Sequence, residues 1–437
     1  MKVLVLGTVT LNGGDAAINR AQRVILQRQW PDLEIVCSDT QPEAAARYST
    51  DETFVPALFE TFVAHRLTRV PGRPGWLRPF VSRRWQARAL TAARRYASGR
   101  SVSASLSEEE RSALDLLRSC DLVVYCGGTS LTPNYHLNRK LFDIELAVAM
   151  GKPLAFMQQS AGPFKEKSVR RRLARLATAA AVVILRDERS RGHLAELGVP
   201  ADRLTVLPDT VFAMAPERRP SRPGDDRSLR VAVSVREWKH FTSLPAAEGM
   251  ARFVEAVRVA VTHLVRDRQA EVEFVSTCQG RPEYWIDDSA LAVDIAEGLP
   301  AEVAAHVRVD RSARSPEELL AHLGGFDAMV STRLHGAILA VCAGVPTLAV
   351  AYEYKTAEVW SQLGLESFFE DIEDLADDSL AVAVGRLLDR HDEVSATLAR
   401  EVPRLRAGAL EAGELIAQAT GLTAVAAPER EAPAGRV

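Results

Sequence analysis

Four basic side chains in the C-terminal half of the sequence stand where apolar strands end. Arg333 and His335 follow the apolar run AMVS and precede the helical stretch GAILAVCAG, so they occupy a junction between a strand and a helix. Arg236 closes the run VAVSVR, and Lys355 follows AVAYEY. A buried arginine is costly unless it is paired or binds a ligand. Guanidinium groups bind carboxylate and phosphate alike, so this set predicts a ligand with more than one acidic group.

Structural ion pairs are the alternative explanation for these cations. Asp209, Glu237 or Glu353 could satisfy their charges without any ligand. The remaining histidines are scattered, without the spacing of metal ligands, so no metal site is expected. The sequence also lacks a P-loop, a nucleophilic serine elbow and a DxD motif in a supporting context. These missing motifs argue against a P-loop enzyme, a serine hydrolase and a DxD sugar transferase.

Three further loops follow apolar strands and carry glycines or an amide: NGGDAAI, CGGTS and QQSAGPF. Each glycine pair permits close approach of a ligand to the backbone, although a tight turn explains any one of them alone. Asp15 suits a helix N-cap, and a carboxylate there opposes a phosphate, which favours a neutral, hydroxyl-rich ligand on this side. The candidate binding residues of these loops are Asn12, Gly13, Gly14, Gly127, Gly128 and Gln159.

The elements that must position these residues alternate as short apolar strands and helical stretches. This alternation predicts an α/β fold with parallel sheets covered by helices on both faces. Residues 216–230 are rich in proline and charge and read as a linker between domains covering 1–215 and 231–420. The polar, proline-rich end, 421–437, is expected to be disordered. Two Rossmann-like domains facing a central cleft would place their strand ends on one ligand site.

The bulk composition narrows the class of protein. The chain has 437 residues, 47% of them hydrophobic, and a formal net charge of −3. This balance gives no global attraction to nucleic acid, so no nucleic-acid partner is expected. The five cysteines show no paired spacing, which is typical of a cytoplasmic protein. No apolar run approaches the roughly 20 residues of a membrane span, and the oligomeric state is left open.

An arginine-rich insert at about 60–105 interrupts the N-terminal half. Ten arginines lie between His65 and Arg100, interleaved with Trp76, Phe80 and Trp85. One interpretation is peripheral contact of 65–100 with the inner face of a membrane or with a polyprenyl-phosphate acceptor. The other is a solvated helical insert whose aromatic residues pack on the N-terminal half. Prolines interrupt the amphipathic period, which favours the second interpretation.

The ordered set NGGDAAI, CGGTS, QQSAGP, LRDERSRGHLAELG, VSVREW and STRLHGAILAVCAGVPTLAVAYEYK resembles the polysaccharide pyruvyl transferase family. The match covers nearly the whole chain except the insert, the linker and the tail. The resemblance implies a GT-B-like fold and an EC 2.5.1-like transferase that moves a pyruvyl group from phosphoenolpyruvate to sugar hydroxyls, usually as a cyclic ketal. It also implies that phosphoenolpyruvate, a co-substrate rather than a cofactor, binds Arg236, Arg333, Leu334 and His335.

A mechanism can be outlined on this basis. Attack at C2 of phosphoenolpyruvate requires a proton on C3, and His335 is the candidate acid, with its roles as base or phosphate ligand left open. Asp15 is the candidate base for a hydroxyl of the acceptor, a saccharide or a lipid-linked saccharide. The principal alternative is a GT-B glycosyltransferase that uses a nucleotide sugar, with Glu353 holding the ribose. The third possibility is a non-catalytic anion-binding protein, which would tolerate loss of His335.

Overall fold

The structure of the protein is a computed structural model that describes residues 1–49, 51–68, 78–100, 106–217 and 228–422. Most of the predicted linker, 216–230, lies outside these ranges, and so does the predicted tail beyond residue 422. Positions 69–77 and 101–105 of the insert, including Trp76, also lie outside the described residues.

The N-terminal half is built on an eight-stranded sheet in which every strand pair is parallel. Strands such as LVVY are buried along their whole length because helices cover both faces of the sheet. The order is β3-β2-β1-β4-β6-β7-β8, with β5 paired to β6. The strands are β1 (Lys2–Thr8), β2 (Glu34–Asp39), β3 (Thr53–Pro56), β4 (Leu122–Tyr125), β5 (Gly128–Leu131), β6 (Leu154–Ala161), β7 (Val182–Leu185) and β8 (Leu204–Val206).

Three helices of this half, those that begin at Gly13, Glu108 and Glu188, have polar side-chain caps that the sequence supplies. Asn12 accepts hydrogen bonds from the backbone of Gly14 and Asp15, and Ser107 forms a reciprocal capping box with Glu110. A π-helical turn, Glu60–Ala64, and two 3₁₀ turns, Ala201–Arg203 and Thr210–Met214, complete the set. The helices are α1 (Gly13–Gln29), α2 (Pro42–Tyr48), α3 (His65–Thr68), α4 (Arg78–Ala97), α5 (Glu108–Ser119), α6 (Leu137–Ala149), α7 (Lys167–Ala179) and α8 (Glu188–Ala195).

The C-terminal half contains a six-stranded parallel sheet in the order β11-β10-β9-β12-β13-β14. Its strands are β9 (Arg230–Ser234), β10 (Glu271–Phe274), β11 (Val307–Val309), β12 (Ala328–Ser331), β13 (Thr347–Ala351) and β14 (Phe369–Asp371). Its helices, with a 3₁₀ turn at Glu366–Phe368, are α9 (Ala246–Arg268), α10 (Asp288–Glu297), α11 (Ala301–Ala304), α12 (Pro316–Leu323), α13 (Leu334–Cys342), α14 (Tyr354–Gln362), α15 (Ser379–Asp389) and α16 (His391–Thr420).

The last helix, α16, returns to the N-terminal half and packs on α1, β6 and β7. At Gly413 a Cβ atom would lie 3.0 Å from the Ile25 carbonyl oxygen, so glycine lets the two helices approach closely. One cluster of buried apolar side chains includes Ile25 of α1, Val231 of β9 and Ile416 of α16. The hydrophobic core is therefore continuous between the two halves.

The described part of the insert packs partly on the N-terminal half. The Arg66 guanidinium stacks 4.5 Å from the ring centre of Trp85, and Trp85 contacts the N-terminal core. Phe80, by contrast, is 64% exposed. Within the described ranges, no helix is both long and apolar enough to span a bilayer.

The predicted α/β class with two parallel sheets is confirmed. In both halves the carboxyl ends of the strands lead into the loops that carry the predicted site residues. These loops contact one another where the two halves meet.

Candidate functional site

The junction between β12 and α13 holds Arg333 and His335, as the sequence predicts. Strand β12 is hydrogen-bonded to β9, with Ser331 opposite Ser234, so Arg236 at the end of β9 belongs to the same edge of the sheet. The Ser331 hydroxyl donates to the Arg333 carbonyl at 3.0 Å and fixes the turn into α13. Leu334 is buried in the core, so it offers a ligand only its backbone at the start of the helix.

Arg333 is bound side-on by a carboxylate that the sequence analysis did not single out. Its Nε donates to Asp288 Oδ2 at 2.7 Å, and its Nη2 donates to Asp288 Oδ1 at 2.6 Å. Both side chains are buried. A bidentate pair of this kind fixes the plane of the guanidinium, so Asp288 orients Arg333 within the site.

Arg236 lies in a different environment. Its guanidinium stacks on Tyr352, 4.2 Å from the ring centre, and faces Trp238 at 5.4 Å. Its Nε donates to the Glu237 carbonyl at 3.2 Å, but no carboxylate among the described residues lies within 4.0 Å of it. Aromatic rings therefore hold this cation in place and leave its charge available to an anionic ligand.

Lys355 forms a structural ion pair, the alternative explanation considered for these cations. Its Nζ lies 2.5 Å from Oε2 of Glu353, one of the three carboxylates considered as a structural partner. Burial alone would lower the pKa of Lys355, but Tyr352 and Glu353 raise it above its usual value. The Asn134 side chain, from the N-terminal half, also donates to Glu353 at 3.4 Å. Lys355 and Glu353 thus form part of the contact between the two halves.

His335 points from the C-terminal half towards Asp209 of the N-terminal half. Its Nε2 is buried without a hydrogen bond to any described residue and lies 3.8 Å from Asp209 Oδ2. Burial disfavours the Asp209 carboxylate, yet Arg186 and His335 outweigh burial and hold the pKa of Asp209 well below its usual range. A carboxylate in this position can orient the imidazole ring.

Arg186 is a functional candidate that the sequence analysis missed. It is only 3% exposed, and it donates to Ser160 Oγ at 2.7 Å and to Asp209 Oδ2 at 2.6 Å. Its Nη2 is buried and has no hydrogen-bond partner in the described structure. The available signal was its place after the apolar strand AVVIL, which is the pattern that identified Arg236.

Gln159, predicted to contact a ligand, lies beside Arg186. The Arg186 backbone N–H donates to the Gln159 carbonyl at 3.2 Å. Both amide atoms of the Gln159 side chain are buried and lack hydrogen-bond partners among the described residues. Unsatisfied buried polar atoms are rare in native proteins, and a bound polar ligand would satisfy them.

The first glycine loop brings the start of α1 against this group. A Cβ atom on Gly14 would lie 2.8 Å from His335 Nδ1, and a Cβ on Gly13 would clash with the Thr277 carbonyl. Asn12 Nδ2 donates to the Tyr284 hydroxyl at 3.1 Å, which joins the two halves at this point. Both glycines are therefore required by close approach between the halves.

Asp15 faces the same interface from the first turn of α1. Burial raises the pKa of Asp15, while His335, Lys140 and Lys355 oppose this rise. The raised pKa makes the carboxylate a stronger base than an exposed aspartate. Asp15 can therefore accept a proton from a hydroxyl, the role predicted for it.

The second glycine loop lies next to Asp15. Gly128 has a φ of +105°, and a Cβ there would lie 3.1 Å from Ile18 and 3.9 Å from Asp15 Oδ1. A Cβ on Gly127 would lie 2.9 Å from the Met157 carbonyl. Gly128 thus keeps space open beside the Asp15 carboxylate, whereas Gly127 serves the packing of β6.

One cluster of described residues, separate from the group around His335, has the spacing of metal ligands. Glu273, Asp310 and His322 offer ligand atoms within 4.8 Å of one another. His322 Nε2 lies 2.7 Å from Glu273, and Arg308 and Arg314 also pair with these carboxylates. The surrounding arginines compensate the acidic charge and join these residues in an ion-pair network.

Comparisons with known proteins place the chain in a biochemical context. The model of the family described as polysaccharide pyruvyl transferase matches residues 12–354. A curated relative, the amylovoran biosynthesis protein AmsJ of Erwinia amylovora, is 25% identical over 420 residues, which cover 93% of this chain and 96% of that protein.

Solved structures show the fold. HepE of Anabaena in complex with UDP-glucose is similar with a TM-score of 0.52 at 14% identity, covering 97% of this chain and 100% of that one. The UDP-GlcNAc 2-epimerase of Neisseria meningitidis bound to UDP-GlcNAc gives a TM-score of 0.53 at 10% identity, covering 96% and 99%. These similarities confirm the predicted GT-B-like arrangement of two Rossmann-like domains.

Proposed function

This chain belongs to the polysaccharide pyruvyl transferase family, whose reactions serve glycan synthesis, and we propose that its donor is phosphoenolpyruvate and its product a cyclic pyruvate ketal. The acceptor in this proposal is a saccharide, free or lipid-linked, that presents two neighbouring hydroxyls. The five cysteines are free and buried, which supports the cytoplasmic location expected from their spacing. The amylovoran relative supports a polysaccharide-related acceptor.

The observation that carries the proposal is the set of charged groups that meet at His335 and its strand edge. Arg236, at the same sheet edge, has no carboxylate partner among the described residues, and Arg186, which shares Asp209 with His335, has an Nη2 without a partner. Asp15, near enough for His335 to oppose its raised pKa, is a carboxylate of the N-terminal half. Phosphoenolpyruvate carries a carboxylate and a phosphate that suit the cations, and a sugar hydroxyl suits the carboxylate.

The donor half of the reaction follows from these contacts. Arg236 and Arg333 would bind the acidic groups of phosphoenolpyruvate and hold its enol carbon frame near His335. The protonated imidazole donates to C3, which becomes a methyl group, while C2 acquires oxocarbenium character. Asp209 orients the imidazole for this transfer, and Arg186 keeps Asp209 ionised.

The acceptor half uses the N-terminal loops. The first sugar hydroxyl attacks C2 and transfers its proton to Asp15, and the C2–phosphate bond breaks to release phosphate. The second hydroxyl then attacks C2 and closes the ketal. Of the two hydroxyl protons, one replaces the proton delivered to C3 and the other leaves with phosphate, so the reaction balances.

Calorimetric titration with phosphoenolpyruvate tests the donor, with and without a mixture of hexose disaccharides. We expect wild-type protein to bind and His335→Ala to bind without releasing phosphate. Binding of UDP at micromolar concentration together with no binding of phosphoenolpyruvate would instead identify a nucleotide-sugar enzyme. The contacts of Glu353 speak against that second function, because Lys355 and Asn134 already occupy the carboxylate that would hold a ribose.

A further inference from the structure

A separate pocket of about 1040 Å³ opens on the N-terminal half beside the cleft. The described part of the arginine-rich insert forms one wall, including Leu67, Ser82 and Gln86. The loops after β5 and β6 form the other wall, including Tyr135 and Phe164. Since ligands of parallel α/β sheets bind beyond the carboxyl ends of the strands, this pocket lies on the functional edge of the sheet.

Tyr135 connects this pocket to the cleft. Its ring lines the pocket, and its hydroxyl lies 3.4 Å from Thr129 Oγ1 on β5, immediately after Gly128. Tyr135 is 46% exposed, and its partial burial and the nearby Asp15 carboxylate raise its pKa. The preceding residue, Asn134, reaches Glu353 across the interface. A ligand whose reactive end lies at Asp15 could therefore extend past Tyr135 into the pocket.

The chemistry of the pocket walls selects the class of ligand. Apolar residues, such as Pro133 and the largely buried Phe59 and Phe164, line the pocket together with polar side chains, such as Gln86 and Asn138. Pyranose rings present C–H faces that pack on aromatic and proline rings, and hydroxyls that need donors and acceptors. A lipid chain would leave these polar side chains without hydrogen-bond partners.

Two cations of the pocket are neutralised by neighbouring carboxylates. Arg66 binds Glu110 through two bonds of 2.8 and 2.6 Å, and Arg139 lies 3.1 Å from Glu60. Lys165 is followed by the oppositely charged Glu166 in the same wall. Among the described lining residues most of the positive charge is therefore compensated, which favours a neutral saccharide over an anionic carrier phosphate.

We propose that this pocket binds the non-reacting sugar residues of an oligosaccharide acceptor, next to the residue that receives the pyruvyl group. The assignment of a reacting residue at Asp15 rests on the proposed function, but saccharide binding in the pocket does not. The insert then acts as the outer wall of an acceptor site and sets the length of glycan that the enzyme accepts.

The test is a saccharide length series with the full-length protein. Methyl glycosides of glucose, galactose, mannose and N-acetylglucosamine, with their di- and trisaccharides, are titrated by saturation-transfer NMR. Two variants fill the pocket from α4, Ser82→Trp and Gln86→Trp. Arg83→Trp is the matched control, because Arg83 is exposed on the same helix and does not line the pocket. Thermal unfolding checks that every variant is folded.

In at least one series we expect affinity to rise at least fivefold from monosaccharide to trisaccharide. Ser82→Trp and Gln86→Trp should abolish this gain, Arg83→Trp should retain it, and phosphoenolpyruvate binding should be the same in all four proteins. The proposal is overturned if no series gains affinity with length, or if the gain survives in both filled variants. It is also overturned if Ser82→Trp and Gln86→Trp leave saccharide binding unchanged and reduce only the co-flotation of the protein with phosphatidylglycerol vesicles.

If phosphoenolpyruvate were not the donor, the same measurements would give a different set of results. Wild-type protein would then ignore phosphoenolpyruvate, while the gain with saccharide length and its loss in the filled variants would persist. That result would support the pocket and reject the pyruvyl donor. Binding of phosphoenolpyruvate without any length dependence would have the opposite meaning.

Discussion

The imidazole Nε2 of His335 lies 3.8 Å from the carboxylate of Asp209, and this contact joins the two halves of the molecule. Asp209 follows β8 of the N-terminal sheet, whereas His335 belongs to the first turn of α13 in the C-terminal half. The same carboxylate binds Arg186 at 2.6 Å. The site is therefore complete only when both halves are in contact, and His335 depends on a partner that its own domain does not supply.

Replacing Asp209 tests this dependence. In Asp209→Asn the imidazole loses the carboxylate that faces its Nε2, and the Arg186 charge is no longer opposed. We expect kcat for phosphate release to fall about 100-fold, in the range of a general-acid contribution. Binding of phosphoenolpyruvate should be unchanged or tighter, because a negative charge has been removed.

Asp310→Asn is the matched control for this substitution. Asp310 is likewise a buried aspartate bound to an arginine, Arg314, but it lies in the ion-pair network away from the cleft. Its kcat should stay within twofold of wild type. Equal losses in both variants, measured by phosphate release, would contradict a specific role for Asp209.

Arg236 and Arg333 should respond differently to alanine. Arg236→Ala removes a stacked cation and should weaken phosphoenolpyruvate binding about 100-fold, with a stability loss of only about 1 kcal/mol. Arg333→Ala leaves Asp288 buried without its partner and should cost about 3–5 kcal/mol in the free energy of unfolding. Calorimetry and urea unfolding separate the two effects, and similar stability losses in both variants would refute the distinction.

Gly14→Ala should separate activity from stability. Alanine is favoured over glycine in a helix by roughly 1 kcal/mol, but its Cβ would lie 2.8 Å from His335 Nδ1. The imidazole must move, so we expect kcat to fall at least tenfold while the free energy of unfolding hardly changes. Gly192→Ala in α8 is the control, because a Cβ there meets no atom within 4 Å. Full activity in Gly14→Ala would show that His335 need not occupy its present position.

Asp143 should make stability depend on pH. It is buried in α6 and accepts a hydrogen bond from the Phe59 backbone N–H at 2.7 Å. Burial raises its pKa to about 7, although Lys140 and this hydrogen bond oppose the rise. Because the folded protein then binds more protons than the unfolded chain between about pH 4 and pH 7, stability falls as pH rises through that range.

Asp143→Asn should remove this dependence. At pH 8 we expect the variant to be more stable than wild type by about 2 kcal/mol or more, with the difference shrinking towards pH 4.5. Asp310→Asn should instead be destabilised by a constant amount across this range, because Arg314 and Ser312 lower the pKa of Asp310 despite its burial and the wild-type carboxylate stays ionised throughout. Urea unfolding across this pH range provides the measurement, and a pH-independent difference for Asp143→Asn would refute the assignment.

Much of the site could be predicted because it lies where strands end. Arg236, Arg333 and His335 follow apolar runs, and the topology of parallel sheets brings such positions to one edge. The glycines at 13 and 14 were identifiable for the same reason. These signals lie in the residues next to each position, so they can be found in the sequence without knowing which residues make contact in the fold.

The partners of these residues could not be predicted in the same way. Asp288 lies 45 positions before Arg333, at the start of a helix where an acidic residue is ordinary. Arg186 follows the apolar strand AVVIL, as Arg236 follows its own strand, but the adjacent Asp187 and Glu188 make it resemble part of a solvated charge run although it is buried. Contacts between the halves, such as Asn12 with Tyr284, depend on domain placement that no local pattern encodes.

The return of α16 to the N-terminal half has a consequence for how the protein is made. During translation α1 leaves the ribosome long before α16, the helix that covers it, is synthesised. Until then the nascent N-terminal half exposes an apolar surface to solvent and to chaperones. An N-terminal fragment ending before β9 would keep that surface exposed permanently.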